Sequence, residues 1–559
     1  MPPPPTAQTD AAEPRAERAR LAAGLRLLER PEAALAATIL ALVGSVAFLL
    51  ARIVPDVSGK PLFDDEVVAG LTAVHPFGEL LDIVIFDRGG APLHFVLAHV
   101  ALWFDASPEA LRWLSIVFAV ATIPVCWNLG RRLGGPVAGA VAAIVAGTSS
   151  MLAVYGSVGR MYAIFAFASA LAIDLFVRAL DLRTPRAAFW AALAALFLPA
   201  VHPYGLVVVA VEAGVALAIW RGRPLKPALP ILALGVLLTP FVIADVRLSE
   251  RFGVTASGEG SVAPPDFAAR QLGEALQAFA GGAGILALLF FGLALAGLFV
   301  VFRSRPAVAV FAALVLAAVP ILMVLARAES ELVHQLTPRH LMFGLPLWAA
   351  LVGVGVARLV RGLPPVAVAA AVGAVALAGA LAPAGISDPR DDPNATEARL
   401  AAPATWVRDH AEGNSLLLFY SPVFLEALPA AQNATAVPRS GRPLAMVERA
   451  DYPVPSLVLA LRLDGTTVRS RRLETRIGTG SEVADFPGWV VFTVPGPFAD
   501  PHEALIAARD GLRSALTEST GRTLPFRRDV RNGLVTTCDA LGELGDQCST
   551  YVLPRSTPP

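Results

Sequence analysis

The sequence predicts an α-helical polytopic membrane domain of about eleven transmembrane helices, followed by an extracytoplasmic α/β or α+β domain. Three observations carry this. Of 559 residues, 55% are hydrophobic and only 16% charged, whereas a soluble globular chain carries about 25% charged residues. Apolar runs recur between residues 33 and 382, each near the roughly 20 residues a helix needs to cross a bilayer. From about Ser387 onward, Pro, Arg and Asp return at ordinary density and no run is long enough to cross. The net charge is zero, which removes the case for a nucleic-acid partner.

The chain divides into a leader at 1–32, a membrane domain at 33–386 and a soluble domain at 387–559. The leader is rich in Pro, Ala and Arg. It lacks the basic start, short apolar core and small-residue cleavage site of a signal peptide, and reads as a disordered cytoplasmic segment. Spans are expected near 33–54, 113–130, 136–154, 161–179, 187–201, 204–220, 228–244, 283–302, 306–326, 341–357 and 364–382. The piece 91–104, "APLHFVLAHVALWF", is too short to cross and is expected to lie at the interface.

Charge fixes the expected orientation, because cytoplasmic loops collect Lys and Arg near the span ends. With 91–104 left out of the count, one set of loops is short and basic: Arg131/Arg132, Arg178/Arg183/Arg186, Arg221/Arg223/Lys226, Arg303/Arg305 and Arg358/Arg361. Counting 91–104 as a span would move these clusters outside. The expectation is a multi-pass protein of the plasma membrane, with the N-terminus in the cytoplasm and the C-terminal domain outside.

The outer loops then hold the polar chemistry. The first, 55–112, opens with Asp64, Asp65 and Glu66 in "FDDEVVAG". Helices on the membrane surface are expected at 66–86 and 91–104. Further polar stretches share this side: "YGSVGRMY" at 155–162, "VHPY" at 201–204, the loop 245–282, and "ARAESELVHQLTPRH" around Arg339. Such asymmetry suits an active site on the outer face.

These residues resemble a family. The run of "DE" after the first span, "GGAPLHF", "GRRLGGPVAGAVAA", "GRMYA", "HPYG" and "TPRH" is similar to the GT-C glycosyltransferases. The likeness is strongest to bacterial relatives of the protein O-mannosyltransferases and of the aminoarabinose transferase of lipid A (glycosyltransferase families 39 and 83), over roughly residues 33–345. The resemblance implies a mannose- or arabinose-like sugar carried on a polyprenyl phosphate, and an acceptor in the cell envelope. It implies transfer with inversion at the outer membrane surface. It places the catalytic acids at Asp65 and Glu66, with Asp65 as base. Arg160, Tyr162, His202, Arg339 and His94 fall at donor- and phosphate-binding positions, with Arg339 on the lipid phosphate.

The chemistry agrees with the residue types. An acceptor hydroxyl attacking a sugar carbon needs a base, and a carboxylate can serve. The departing lipid phosphate calls for guanidinium groups or a metal. Several branches of the family place a second acid in the loop after the third span. Here that loop reads "YGSVGRMYA" with no acid, so no cofactor is firmly expected and a divalent cation is not favoured.

Plainer readings stand beside these. Asp64–Glu66 suit the first turn of a helix for reasons of capping and dipole alone. Arg160 and Arg339 could anchor span ends at the interface, and the histidines could be packing residues. Asp174 and Glu212 fall inside spans, where acids are functional candidates by default. The rival functions are a lipid or glycan transporter or flippase and a non-catalytic envelope scaffold. Transporters tend to show repeats and broken helices near the midplane, and no repeat is evident.

In the tail, strands are expected at 415–420, 456–463 and 488–494, and helices at 404–412 and 502–518. Cys538 and Cys548 lie in the same outer domain and are expected to pair. Acceptor docking or capping of the site is the expected role of this domain.

Overall fold

The computed structural model describes most of residues 31–219, then 235–244, 267–280, 284–318, 338–382, 416–419, 453–462, 482–486 and 489–517, with a few single residues between and after. Its helices are α1 (Pro31–Ile53), α2 (Asp64–Ala73), α3 (Phe77–Asp82), α4 (Pro92–Phe104), α5 (Pro108–Gly134), α6 (Pro136–Thr148), α7 (Ser150–Gly156), α8 (Tyr162–Leu182), α9 (Pro185–Val201) and α10 (Gly205–Ile219). They continue with α11 (Phe267–Ala280), α12 (Ile285–Ser304), α13 (Pro306–Ala313), α14 (Leu345–Leu359), α15 (Pro365–Leu381) and α16 (Pro501–Thr517).

Five helical stretches are long and apolar enough to cross a membrane: Ala36–Ser58, Glu109–Gly134, Tyr162–Leu182, Ile285–Ser304 and Pro338–Leu359. The bent pair α6–α7 makes a sixth. Shorter apolar helices stand at four more expected spans: Pro185–Val201, Gly205–Ile219, Pro306–Ala317 and Pro365–Leu381. Of the expected span 228–244, residues 235–244 are described, mostly as helix. The chain is a multi-pass helical membrane protein.

Two spans differ from a straight reading. The run 136–154 bends by 49°. Ser149 ends α6 and caps α7, where its hydroxyl accepts the Leu152 N–H at 3.4 Å. A serine at that place lets one helix stop and the next begin. The break frees carbonyls, and Arg52 Nη1 at the end of α1 donates to the Thr148 carbonyl at 3.2 Å. In the run 306–326, α13 passes into a π-helix at Leu314–Ala318.

The helices pack on glycine. A Cβ on Gly297 would collide with the Leu351 carbonyl oxygen, one on Gly355 with that of Leu293, and one on Gly353 with that of Ala138. Helix α14 is therefore held at backbone contact by α12 on one side and α6 on the other. Small residues at helix contacts are how lipid-embedded helices gain dispersion, since burial from water offers little there. Gly355→Val is expected to lower the thermal midpoint of the detergent-solubilised protein, at the cost of about 1–3 kcal/mol typical of overpacking. An unchanged midpoint would show that the contact can give way.

The first loop folds as α2, α3 and α4 rather than as one surface helix over 66–86. Pro92, His94, Phe95, Ala98 and His99 of α4 are buried, while Trp103 and Phe104 are 70% and 87% exposed. His99 Nδ1 lies 2.7 Å from the Ala73 carbonyl, tying α4 to the end of α2.

The tail contains a four-stranded sheet: β1 (Leu416–Phe419), β2 (Val454–Arg462), β3 (Glu482–Phe486) and β4 (Trp489–Phe498). The order is β1-β2-β4-β3, with β1 parallel to β2 and the other pairs antiparallel. Helix α16 packs on β2 and β4, and its Ala504, Leu505, Ala508 and Leu512 are fully buried. Cys538 is disulfide-bonded; Cys548, its expected partner, lies outside the described residues, as does most of 404–412.

Candidate active site

The acids of the first loop begin α2. Glu66 is 1% exposed and grips Arg112, which is 2% exposed. The pair is bidentate: Arg112 Nε donates to Glu66 Oε1 and Arg112 Nη2 to Glu66 Oε2, each at 2.8 Å. Arg112 Nη1 donates to the carbonyls of Asp56, Val57 and Lys60 at 3.0, 2.7 and 2.9 Å. The planar guanidinium fork suits both tasks at once. It satisfies the carbonyls that end the helical turn after α1 and holds the carboxylate of α2.

Glu66 also reaches the loop after α7. Its Oε1 accepts the Gly159 N–H at 2.7 Å. A Cβ on Gly159 would meet Leu111 Cβ at 2.8 Å and Glu66 Oε1 at 3.3 Å, so only glycine lets the backbone come this close. Asp56 adds a second tie, its Oδ2 accepting from Ser157 Oγ at 3.1 Å. The stretch "YGSVGRMY" is thus not a surface island. All of Ser149–Ala166 is buried.

Asp65 stands one residue before Glu66 in the first turn of α2; its side chain lies outside the described residues. Arg160 follows Gly159, is 6% exposed, and sets its guanidinium 5.6 Å from the Phe95 ring centroid. The Ser115 hydroxyl donates to the Arg160 carbonyl at 3.2 Å. His94 is fully buried with its ring 5.4 Å from Phe95. Arg160 and His94 therefore flank one phenylalanine of α4.

Tyr162 opens α8 on the other side of this loop. The Arg339 guanidinium lies 5.6 Å from its ring centroid, and the rings of Tyr155 and His202 lie 5.4 and 6.3 Å away. His202 ends α9, stacks on Phe165 at 4.7 Å and on Tyr204 at 5.1 Å, and accepts the Tyr204 N–H at Nδ1, 3.2 Å away. His340 lies 6.2 Å from His202 and 5.1 Å from Tyr204. The loop 157–162 joins the two groups, with Glu66 and Arg160 on one side and Tyr162, His202 and Arg339 on the other.

Arg112, Asp56, Ser157, Tyr204 and His340 join this region without having been singled out from sequence. Asp174, one of the two acids in spans, is paired: Arg132 Nε lies 3.0 Å from Oδ1 and Asn128 donates to Oδ2 at 2.8 Å. Glu212 is buried, and its Oε1 has no hydrogen-bond partner among the described residues. Among the described residues no group of three or more His, Cys, Asp or Glu is placed to hold a metal ion.

A broken span, short helices folded across the first loop and Arg160 and Arg339 gathered about the loop 157–162 mark a particular multi-pass membrane fold. That fold is shared with ArnT from Cupriavidus metallidurans in the apo state, at a TM-score of 0.57 and 13% identity, over 82% of this chain and 99% of that one. ArnT from the same organism bound to undecaprenyl phosphate gives a TM-score of 0.56 at 13% identity, over the same shares of each chain. No protein-family model and no curated protein matches the sequence.

Proposed function

We propose that the protein is a membrane glycosyltransferase. It moves a mannose- or arabinose-like sugar from a polyprenyl-phosphate donor to an acceptor in the cell envelope, on the outer face of the plasma membrane. The observation that supports this best is the junction at 157–162. It ties the helix of the first-loop acids to the segment bearing Arg160 and Tyr162, against which Arg339 lies. The shared fold with a protein whose structure holds undecaprenyl phosphate supports the lipid-linked donor.

In this reading Asp65 accepts the proton of the acceptor hydroxyl as its oxygen bonds to the sugar C1. The bond from C1 to the phosphate oxygen breaks, and the electron pair leaves with the polyprenyl phosphate. Attack opposite the leaving group inverts C1. Arg160 and Arg339 stabilise the charge that builds on the phosphate, and Tyr162, His202 and His94 shape the donor site. Glu66 holds Arg112 and Gly159, so it acts by positioning Asp65 and Arg160. The N-terminus is cytoplasmic and the domain 387–559 is extracytoplasmic, where it docks the acceptor or caps the site.

The test is transfer by the reconstituted protein from synthetic undecaprenyl phosphomannose or phosphoarabinose, read as released undecaprenyl phosphate. Absence of release from both, with folded protein, would count against the reading. Arg339→Gln is expected to weaken donor binding by roughly tenfold or more, as befits a lost charged hydrogen bond. Donor titration checks this, and an unchanged KM would move the phosphate elsewhere.

A further inference from the structure

A second polar site lies at the other end of the bundle. Helix α8 starts at Tyr162 beside the candidate active site and runs 21 residues to Leu182. At about 1.5 Å per residue that is roughly 30 Å, the thickness of a bilayer core. The turn between α8 and α9 therefore meets the opposite membrane surface. There the two helices enclose a cavity of about 340 Å³ lined by Arg178, Arg186, Thr184, Leu175, Leu182 and Trp190.

Among the described residues, no acid neutralises the cations of this cavity. Asp174 is taken by Arg132 and Asn128, and Asp181 by Arg305 at 3.2 Å. Among the described residues, Arg178 and Arg186 have no hydrogen-bond or ion-pair partner. The cavity also sits at the start of α9, where Thr184 caps the helix by accepting the Ala187 N–H at 3.3 Å and the positive end of the helix dipole favours an anion. The rest of its lining is apolar: Leu182 and Trp190 are 52% and 48% exposed, at the depth where tryptophan settles in membranes.

We propose that this cavity binds the phosphate headgroup of an anionic phospholipid in the leaflet opposite the candidate active site. Arg178 and Arg186 hold the phosphate, and the acyl chains run along Leu175, Leu182 and Trp190. The apolar half of the lining selects a lipid over a free anion. The two arginines select an anionic headgroup over a zwitterionic one, as basic pockets between helices do.

The test uses the full chain in mixed nanodiscs of phosphatidylcholine and phosphatidylglycerol, followed by native mass spectrometry of the retained lipid. The parent protein should retain phosphatidylglycerol in preference to phosphatidylcholine. The double variant Arg178→Gln/Arg186→Gln should lose that retention by about thirtyfold. Arg183→Gln, compared with Arg178→Gln alone, removes the same single charge from the same turn but does not line the cavity, and should leave retention near the parent level. Because all three arginines are exposed, their loss should not disturb folding, and Arg178→Lys/Arg186→Lys should restore part of the retention. Equal loss in Arg183→Gln would reveal a diffuse surface attraction and overturn the proposal. So would equal retention of the two lipids, or displacement of phosphatidylglycerol by millimolar inorganic phosphate.

Discussion

Replacing Arg112 with methionine is expected to cost about 3–5 kcal/mol, the usual effect of removing one partner of a buried ion pair. The cost arises from what is left behind. Glu66 would be left without its guanidinium at 1% exposure, and the carbonyls of Asp56, Val57 and Lys60 would lose the donor they share. The first loop would lose its ion-pair tie to α5, and with it the placing of α2. Glu66→Gln alone should do less damage to the fold, because an amide oxygen can still accept the Gly159 N–H. The double variant Arg112→Met/Glu66→Gln should be less damaging than the two single costs added, since neither charge is then stranded. Thermal unfolding in detergent, run as a double-mutant cycle, reads this directly. Strict additivity would mean that the two groups do not support each other.

Asp65→Asn is expected to lower the transfer rate by about 10²–10⁴-fold, the usual loss when a positioned base is removed. The amide keeps the shape of the carboxylate but cannot take the hydroxyl proton. Donor binding and thermal midpoint should stay near the parent values, which separates this variant from Arg112→Met. A single-turnover assay with saturating lipid donor isolates the chemical step. Transfer at the parent rate would remove Asp65 from the base role and leave α2 as a structural helix.

The membrane architecture was legible because lipid makes few demands and makes them strictly. A crossing needs about 20 apolar residues, and the arginines mark the ends of such runs. Pro185, Pro306 and Pro365 open helices where expected, since a first-turn proline loses no hydrogen bond. The break at Ser149 was less visible. Residues 136–154 read as one continuous apolar run, and only the pair Ser149–Ser150 betrays the stop. In the tail, "EVADF" at 482–486 holds two acids in five residues and looks like a loop, yet it pairs with β4.

The candidate site was legible as a set of residue types and less so in its connections. The acids, Arg160, Tyr162, His202 and Arg339 stand out as polar residues at the ends of apolar runs. Their grouping around 157–162 depends on backbone approach at Gly159, which no spacing rule conveys. Arg112 was passed over because it stands immediately before the expected start of a span, where an arginine needs no further reason. Its partners lie 46 to 56 residues earlier, so the pairing becomes visible only when the chain is folded.

The contact between Arg52 and the Thr148 carbonyl bears on biogenesis. A helix that stops inside a hydrophobic run presents bare carbonyls to lipid, which the hydrocarbon cannot satisfy. The donor for this one belongs to an earlier span, whose residues are synthesised before residue 148. Chain order therefore supplies the guanidinium in advance, and the broken span can settle as soon as it is inserted. A rearranged chain that delivered the first span last would have to hold the break open in lipid until its partner arrived.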